Sequence, residues 1–317
     1  MEIRDTSLIS RLKRALVTWK NSNAFGKLMW LETLRLRAAW NLARYSDRDA
    51  IIKLYRDYSG RVPDLENPVR FSEKLQWLKL NNRDPLQTVL ADKHAVRAYL
   101  IERGFGDLLC RQLARIEDAR AVDFEALPER FVIKAAHASG WNLIVADKAR
   151  LDRKQARRLM AAWLRQGIFW NGREWPYRDM PHRLVIEEYL SDASGGLRDY
   201  KFYCFNGEPR FVQANSGRLS QEHAQNFYSL DWQILPFGKD LAPRPDIEIP
   251  RPPALQRMID IARALSVGHP YIRVDLYDLD GRVVFGELTF YPASGLPDFI
   301  PDEQDFVCGE MLVLPNA

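Results

Sequence analysis

The most informative stretch of the chain is Tyr271-Ile-Arg-Val-Asp-Leu-Tyr-Asp-Leu-Asp-Gly-Arg-Val-Val-Phe-Gly-Glu-Leu-Thr-Phe290. Its two apolar arms flank a turn signal, which predicts a β-hairpin. We expect a three-residue loop, Leu279-Asp280-Gly281, which sets Asp275 opposite Phe285. Because side chains alternate along a strand, Glu287 is then predicted on the same face as Asp275 and diagonal to it, roughly 7–8 Å away.

This hairpin is a candidate metal site. Asp275, Glu287 and Thr289 offer an all-oxygen set, which suits Mg²⁺. The same register places Arg273 opposite Glu287, so an ordinary cross-strand ion pair is the alternative interpretation. The apolar surroundings favour a functional site, because unpaired carboxylates are costly in a buried strand.

A second candidate site is Phe131-Val-Ile-Lys-Ala-Ala-His-Ala-Ser-Gly-Trp-Asn142, read as a strand followed by a turn of small residues. Lys134 and the backbone N–H groups of the turn can point at phosphate oxygens, although the stretch is no Walker loop. The alternative is that Lys134 faces the solvent, as a lysine at the end of a strand usually does. His137 is either catalytic or a residue that stabilises the turn or contacts phosphate.

The third candidate is Leu184-Val-Ile-Glu-Glu-Tyr-Leu190, followed by Asp199-Tyr-Lys201. A strand, an acidic pair and a second strand with an early lysine would form a hinge. Its backbone could recognise a base edge, and its carboxylates could hold a ribose. A solvated acidic pair is the alternative.

Length and composition set the wider limits. The 317 residues allow about two domains, and 46% hydrophobic residues are ordinary for a globular protein. Three cysteines without CxxC spacing argue against disulfides and zinc, and the chain has no apolar run long enough to span a membrane, so we expect a cytoplasmic protein.

The net charge of +4 is concentrated at the N-terminus, where residues 1–50 carry ten Lys or Arg and five Asp or Glu. Leu8, Leu12, Leu16 and Trp19 recur at helical spacing there, which predicts basic amphipathic helices. These helices either pack on the main body or lie on an anionic membrane surface. No nucleic-acid-binding motif accompanies the charge, so we do not expect a nucleic acid as a partner.

Local signals predict a mixed α+β protein with much antiparallel sheet. We expect helices over Ser72–Leu80, with Ser72 as the N-cap, and over Asp152–Gln166, with Asp152 as the N-cap. Asn206-Gly207 predicts a hairpin turn between two strands.

The order of these pieces resembles the ATP-grasp superfamily, and in particular the ATP-grasp family of surface-polysaccharide loci that is named for teichuronopeptide biosynthesis. The resemblance covers about residues 65–300. It is carried by Phe71-Ser-Glu-Lys-Leu-Gln-Trp-Leu-Lys-Leu80, Leu90-Ala-Asp-Lys93, Gly172-Arg-Glu-Trp-Pro-Tyr177, Asp199-Tyr-Lys-Phe202 and Gly286-Glu-Leu-Thr-Phe290.

The resemblance implies an ATP-grasp fold, with two α+β lobes whose antiparallel sheets clasp ATP, preceded by a helical N-terminal segment. The predicted domains are a basic N-terminal segment (1–55), a helical region (56–120), a small lobe with the phosphate loop (121–182) and a large lobe with the hinge and metal site (183–317).

The implied activity is that of a Mg·ATP-dependent carboxylate–amine ligase. A carboxylate attacks the γ-phosphate, an acylphosphate forms, and an amine displaces phosphate to leave an amide. The family context suggests a uronic acid or other sugar carboxylate, joined to an amine or amino acid. The alternatives are a glycosyltransferase, for which Asp278-Leu-Asp280 is the only hint, and a non-catalytic, membrane-peripheral assembly protein.

The local patterns and the resemblance together give the candidate site residues. Candidate catalytic residues are Lys201, Arg273 and His137. Candidate nucleotide-binding residues are Lys93, Lys134, Ser139, Gly140, Asn142, Glu187, Glu188, Leu190 and Lys201. Candidate metal ligands are Asp275, Glu287 and Thr289, and candidate substrate-binding residues are Arg173, Arg178, Arg218 and His223.

Overall fold

The protein is described by a computed structural model that covers residues 32, 33, 36, 40, 44–193, 196–216, 224–239 and 241–315. The chain forms two compact units. The first contains Gln112–Asn171 and Pro181–Tyr189, and the second contains Ser46–Arg111, Gly172–Met180 and Leu190 onward. This division differs from the predicted domain boundaries, because the strand that begins at Leu184 belongs to the first unit.

The helices and strands of the described chain have the following bounds, each kind numbered in chain order. The helices are α1 (Asp47–Ser59), α2 (Phe71–Asn81), α3 (Leu86–Ala91), α4 (Val96–Glu102), α5 (Arg153–Leu164), α6 (Phe169–Gly172), α7 (Leu255–Ser266) and α8 (Gln304–Met311). The strands are β1 (Gln112–Ile116), β2 (Phe131–Ala135), β3 (Asn142–Val145), β4 (Leu184–Glu188), β5 (Arg198–Phe205), β6 (Glu208–Ser216), β7 (Ala224–Ser229), β8 (Gly238–Lys239), β9 (Tyr271–Leu279), β10 (Arg282–Thr289) and β11 (Phe299–Ile300).

The first unit is an antiparallel four-stranded sheet with the strand order β1-β4-β2-β3. Helix α5 supplies the apolar layer that covers it, since Leu159, Met160 and Trp163 join one buried cluster with Phe131 and Ile133 of β2. Burial of this face is what fixes the positions of the polar residues at the ends of β2 and β4.

The second unit is built on an antiparallel five-stranded sheet with the order β10-β9-β5-β6-β7. One face is apolar and packs on α7, whose residues Met258, Ala262 and Leu265 join the same buried cluster as Phe202 and Val274. The other face carries the charged side chains of β5, β9 and β10, and we call it the polar face. It is buried as well, since Phe205 of β5 and Tyr271 of β9 lie on it and contact Phe71 of α2. The charged residues of this face therefore lie next to core residues.

Two caps and one turn test the predicted helix and hairpin boundaries. Asp152 is the N-cap of α5, because its carboxylate accepts a hydrogen bond from the backbone N–H of Gln155 at 2.9 Å. The turn at Asn206-Gly207 also forms, with both residues at positive φ. The Ser72 N-cap is wrong, since α2 begins at Phe71.

Ser72 is used elsewhere in the second unit. Its backbone N–H and its hydroxyl donate to the two carboxylate oxygens of Asp305 in α8, at 2.9 and 2.6 Å. The start of α2 is instead stabilised by Glu73, whose carboxylate accepts from the backbone N–H of Arg70 at 3.1 Å. Ser72 therefore bonds to Asp305, which is 233 positions away in the sequence, and does not cap α2.

The hairpin formed by β9 and β10 has a different register from the one expected. The loop has two residues, Asp280 and Gly281, both at positive φ, so that Leu279 pairs with Arg282. A β-bulge between Phe285 and Glu287 then shifts the pairing by one residue. Because of the tight turn and the bulge together, the diagonal arrangement of the two carboxylates is wrong.

The predicted basic helices of the N-terminus lie mostly outside the described residues. Residues 32, 33, 36, 40 and 44 of that segment are described, and they are helical. Within the part of the chain that the structure describes, no helix is both long enough and apolar enough to cross a membrane.

Candidate active site

The polar face of the second unit gathers charged side chains from three neighbouring strands. Lys201 in β5 pairs with Asp275 in β9, and Asp275 pairs with Glu287 in β10. Three residues in one row across adjacent strands point to the same face of the sheet. We call this group, with Lys93, Asp199, Arg273 and Thr289, the carboxylate cluster.

Arg273 links the carboxylates of the cluster. Its guanidinium donates to Asp275 from Nε at 2.6 Å and from Nη2 at 2.7 Å, and Nη2 also donates to Glu287 Oε1 at 3.2 Å. The Thr289 hydroxyl lies 3.1 Å from Arg273 Nη2 and donates to Glu287 Oε1 at 3.1 Å. The cross-strand ion pair that the sequence offered as an alternative is therefore present.

Lys201 makes the second contact to Asp275. Its ammonium is hydrogen-bonded to Asp275 and donates to Asp199 Oδ1 at 3.0 Å. Asp199 is buried two residues before Lys201 on the same strand, so it holds the ammonium beside Asp275. Asp199 is thus a positioning residue. It stood in the predicted Asp199-Tyr-Lys201 motif without a role of its own, although its i, i+2 spacing from Lys201 places the two on one face.

Burial and charge act in opposite directions on these groups. Burial would raise the pKa of Glu287, but the positive charges of Lys93, Arg273 and Lys201 outweigh it and lower that pKa to about 2. Burial would lower the pKa of Arg273, yet Asp275 and Glu287 raise it well above its ordinary value. Glu287 and Arg273 are therefore both ionised near neutral pH.

The donor set of the cluster fits a magnesium ion. Asp275 and Glu287 supply carboxylate oxygens and Thr289 a hydroxyl, which are hard ligands of the kind that Mg²⁺ prefers. The side chain of Glu287 is 30% exposed, with Oε2 lying 3.8 Å from Lys93 Nζ, so this carboxylate is only partly buried. Among the described residues, no group of three or more His, Cys, Asp or Glu side chains is arranged to hold a metal.

In the first unit, a lysine and a glutamate meet on neighbouring strands. Lys134 Nζ in β2 lies 2.6 Å from Glu187 Oε2 in β4, and the Glu187 side chain is only 7% exposed. Glu188 ends β4 and is half-buried, while Leu190 begins the segment that belongs to the second unit. The predicted phosphate lysine and one predicted hinge acid are thus in direct contact.

The turn after β2 exposes three of the predicted nucleotide-binding residues. Ser139, Gly140 and Asn142 are exposed, and Gly140 has a φ of 72°, which only glycine adopts readily. The turn therefore presents Ser139 and Gly140 at the end of the β2–β3 hairpin, and the backbone N–H of Asn142 donates to the carbonyl oxygen of Gly140 at 3.2 Å.

His137 lies buried beneath this turn. Its Nδ1 accepts from the backbone N–H of Arg183 at 3.2 Å, and Nε2 lies 3.0 Å from the carbonyl oxygen of Trp163. Burial and the neighbouring ring of His182 lower its pKa, so the imidazole is neutral. These contacts support the turn-stabilising interpretation of His137 rather than direct catalysis.

Two of the four predicted substrate-binding residues converge on one acid. Arg173 Nη1 lies 3.6 Å from Asp47 Oδ1, and Arg178 Nη1 lies 4.0 Å from Asp47 Oδ2. Arg218 and His223 lie outside the described residues. Neither Asp47 nor Arg83 is among the predicted site residues, and Arg83 Nη2 also reaches Asp47 Oδ2 at 3.4 Å.

Comparison with known families identifies the chain. The model of the family described as TupA-like ATPgrasp matches residues 73–313. The chain belongs to the TupA-like ATP-grasp family. This confirms the resemblance, and the α+β architecture with antiparallel sheets is the ATP-grasp fold that it predicted.

Solved structures similar to this TupA-like protein include two ligases and a synthetase. The ligase PsnB complexed with a minimal precursor, Mg and ADP is 17% identical, with a TM-score of 0.39 over 69% of this chain and 57% of that one. D-alanine–D-alanine ligase from Bacillus anthracis complexed with ATP is 15% identical, with a TM-score of 0.38 over 64% and 54%. D-cycloserine synthetase DcsG is 15% identical, with a TM-score of 0.37 over 65% and 63%.

The match therefore spans less than two thirds of the length of each of these solved structures. No curated protein matches the TupA-like chain.

Proposed function

We propose that the protein is a Mg·ATP-dependent carboxylate–amine ligase of surface-polysaccharide biosynthesis. The observation that carries the proposal is the carboxylate cluster, in which Asp275 and Glu287 face each other across two strands beside Lys201 and Arg273. Acids that could hold a metal and cations that could hold phosphate lie together there, as phosphoryl transfer requires.

The residues of the second unit would act as follows. Asp275, Glu287 and Thr289 would hold Mg²⁺, which neutralises charge on the transferred phosphoryl group when it is bound. Lys201 and Lys93 would bind phosphate oxygens, and a phosphate would compete with the carboxylates for their ammonium groups. Arg273 would stabilise the negative charge that develops as the substrate carboxylate attacks the γ-phosphorus.

The first unit would contribute nucleotide contacts. Lys134 would bind the α/β-phosphates, and the backbone of the turn around Ser139, Gly140 and Asn142 would donate hydrogen bonds to phosphate oxygens. Glu187, Glu188 and Leu190 would contact the adenosine. His137 would hold the turn in place through Arg183 and Trp163.

The proposed reaction has two steps. The carboxylate oxygen bonds to the γ-phosphorus and ADP leaves, so that an acylphosphate forms. An amine then attacks the acyl carbon and phosphate leaves, which gives an amide. The proposed substrates are a uronic acid or other sugar carboxylate, with Arg173 and Arg178 as contacts to its acidic group, and an amine or amino acid.

Nucleotide selectivity and trapping of the intermediate test this proposal. Mg·ATP should raise the melting temperature, whereas UDP-glucose should not. With D-glucuronate, ATP and hydroxylamine, the protein should release ADP and form a hydroxamate, because hydroxylamine intercepts acylphosphates. Stabilisation by UDP-glucose alone would favour the glycosyltransferase alternative and contradict the ligase.

The structure gives the glycosyltransferase alternative no further support. Asp280 lies in the two-residue loop, and Asp278 Oδ1 accepts a hydrogen bond from the backbone N–H of Gly281 at 2.6 Å. The Asp278-Leu-Asp280 stretch is accounted for by the hairpin turn.

We place the enzyme in the cytoplasm, held peripherally at the inner face of the membrane by its basic N-terminus.

A further inference from the structure

Three arginine side chains of the second unit surround one carboxylate at the start of α1. Arg83 Nη2 lies 3.4 Å from Asp47 Oδ2, Arg173 Nη1 lies 3.6 Å from Oδ1, and Arg178 Nη1 lies 4.0 Å from Oδ2. The guanidinium carbons of Arg83 and Arg178 also lie over the ring of Trp175, at 5.1 and 5.5 Å from its centroid. We call Arg83, Arg173, Arg178 and Trp175 the arginine cluster.

The contacts of the arginine cluster to Asp47 are long. A charge-assisted hydrogen bond between arginine and a carboxylate usually spans about 2.7–2.9 Å. The same unit contains such a pair, in which Arg61 donates to both oxygens of Asp302 at 2.8 and 2.9 Å. Asp47 therefore lies within reach of three guanidinium groups without the close, two-pronged geometry that this protein achieves elsewhere.

Hydrogen bonds hold the backbone next to Arg173 and the side chain of Arg83 in place. Arg173 is buried and has a φ of 55°, a left-handed conformation that is uncommon for a residue with a side chain. The preceding residue, Gly172, is fixed because its carbonyl oxygen accepts from the buried Lys79 ammonium at 2.7 Å. Arg83 is fixed by its Nε, which donates to the carbonyl oxygen of Leu80 at 3.1 Å. Preorganised cations of this kind suit the binding of an anionic group.

Trp175 adds one further donor. Its indole Nε1 is buried and meets no hydrogen-bond acceptor among the residues that the structure describes. A buried donor of this kind usually has a partner, because leaving it unsatisfied destabilises the fold. A ligand oxygen at the cluster would supply that partner.

We propose that the arginine cluster binds the carboxylate of the acidic sugar substrate, and that Asp47 occupies this position when the substrate is absent. The three guanidinium groups already face the carboxylate of Asp47, so a ligand carboxylate would make the same kind of contact in its place. The inference rests on the proposed function for the identity of the ligand. Arg83, Trp175 and the competing Asp47 all lie outside the predicted substrate-binding residues.

Direct binding of D-glucuronate, measured by calorimetry on the full chain, tests this inference, with D-glucose and inorganic phosphate as the comparison ligands. Asp47→Asn removes the competing charge, so it should tighten glucuronate binding about five-fold and leave glucose unchanged. Asp57→Asn is the matched control, because Asp57 lies on the same helix, is exposed and pairs with Lys53. An unchanged glucuronate affinity in Asp47→Asn, or tighter binding of phosphate than of glucuronate, would overturn the assignment.

Arg83→Gln supplies an independent arm should Asp47→Asn disturb α1. Arg83 has a 40% exposed side chain, so its loss should leave the fold intact and weaken glucuronate binding about five- to ten-fold. Arg48→Gln is the control, since Arg48 neighbours Asp47 but pairs with Glu66. Equal glucuronate affinity in Arg83→Gln and Arg48→Gln would refute the cluster.

Mg·ATP binding by the same samples separates this inference from the proposed function. If ATP fails to bind while Asp47→Asn still tightens glucuronate binding, the ligase is refuted and the arginine cluster stands. If ATP binds and neither Asp47→Asn nor Arg83→Gln alters glucuronate binding, the arginine cluster is refuted and the ligase stands.

Discussion

Asp275 lies directly opposite Glu287, and the bulge at Gly286 is what brings the two carboxylates to the same face of the sheet. The two-residue loop alone would pair Asp275 with Gly286 and send Glu287 to the opposite face. The extra residue in β10 returns Glu287 to the face of the sheet on which Asp275 lies. Glycine fits there because a Cβ at this position would lie 2.9 Å from the backbone oxygen of Asp275.

Replacing this glycine should damage the fold and the site together. In Gly286→Ala the new methyl group collides with the backbone of β9, so we expect a loss of about 1–3 kcal/mol in the free energy of unfolding. ATP turnover should fall because the carboxylates separate. Urea unfolding and an ADP-release assay measure the two effects. Gly106→Ala is the control, since a Cβ there has its nearest contact at 3.5 Å. Equal behaviour of both variants would contradict a role for the bulge.

Neutralising the two carboxylates should affect stability unequally. Asp275 contacts both Arg273 and Lys201 in a buried setting, so Asp275→Asn should cost about 3 kcal/mol. Glu287 is partly exposed, so Glu287→Gln should cost less than Asp275→Asn. Both variants should lose ATP turnover, because each removes a proposed metal ligand.

Urea unfolding and ADP release again provide the measurements for this pair. A variant that is destabilised but whose remaining native fraction turns over ATP at the normal rate would show that the ion pair with Arg273 is the whole role of that carboxylate. Wild-type turnover in Glu287→Gln would remove Glu287 from the proposed metal site.

The stability of the protein should depend on Glu287 in acid. Its pKa is about 2 in the folded protein against an ordinary value of 4.5, so its ionised form stabilises the fold above pH 4.5. That contribution is lost as the pH falls from 4.5 towards 2. The difference in unfolding free energy between the wild type and Glu287→Gln should therefore shrink across this range.

Urea unfolding at about pH 5.5 and about pH 3 tests the acid dependence. Glu102→Gln is the control, because Glu102 is exposed at the end of α4. A difference between the wild type and Glu287→Gln that stays constant over the two pH values would show that Glu287 does not lose its charge in this range.

Lys134→Ala should weaken nucleotide binding. The substitution removes a proposed phosphate contact and also leaves Glu187 without the ammonium 2.6 Å away. We expect the dissociation constant of Mg·ATP to rise about ten-fold, in line with the loss of one charge-assisted hydrogen bond. Calorimetry measures it, and Lys154→Ala, at an exposed position of α5, is the control. An unchanged constant in Lys134→Ala would refute the phosphate assignment.

The basic N-terminus should bind anionic vesicles. Each Lys or Arg near such a surface contributes about 1 kcal/mol, so glutamine at Arg11, Lys13, Arg14 and Lys20 should release most of the protein from phosphatidylserine vesicles in sedimentation. High salt should do the same. The control replaces four exposed cations elsewhere, which are Arg103, Lys154, Arg210 and Arg251. Equal, salt-independent sedimentation of all forms would contradict the membrane interpretation.

Local signals predicted the elements well, because their causes are local. The turn at Asn206-Gly207 and the cap at Asp152 each depend on residues within three positions. The predicted proximity of Asp275 and Glu287 was also right, although the register behind it was not. The predicted loop was one residue too long and the bulge was not predicted. Each error alone would have moved Glu287 to the other face of the sheet, and together they left it on the correct face.

The remaining features depend on partners that are distant in the sequence. The close approach of Gly286 to Asp275 and the bond of Ser72 to Asp305 are tertiary contacts that no pattern in the chain indicates. The same holds for Asp47, which lies 36 positions from Arg83. Convergence of this kind is decided by packing of the core and not by periodicity.

The buried ammonium of Lys79 lies within a shell of oxygens. It donates to Gln76 Oε1 at 2.9 Å and to the carbonyl oxygens of Gly172 and Ser294 at 2.7 and 2.8 Å, and burial lowers its pKa to about 8. Three oxygens around one positive charge resemble the ligand shell of a potassium or ammonium ion, with the ion tethered to the polypeptide. The segment that bears Arg173 therefore needs no dissolved monovalent cation to keep its shape, and exchanging sodium for potassium in the buffer should leave it unaltered.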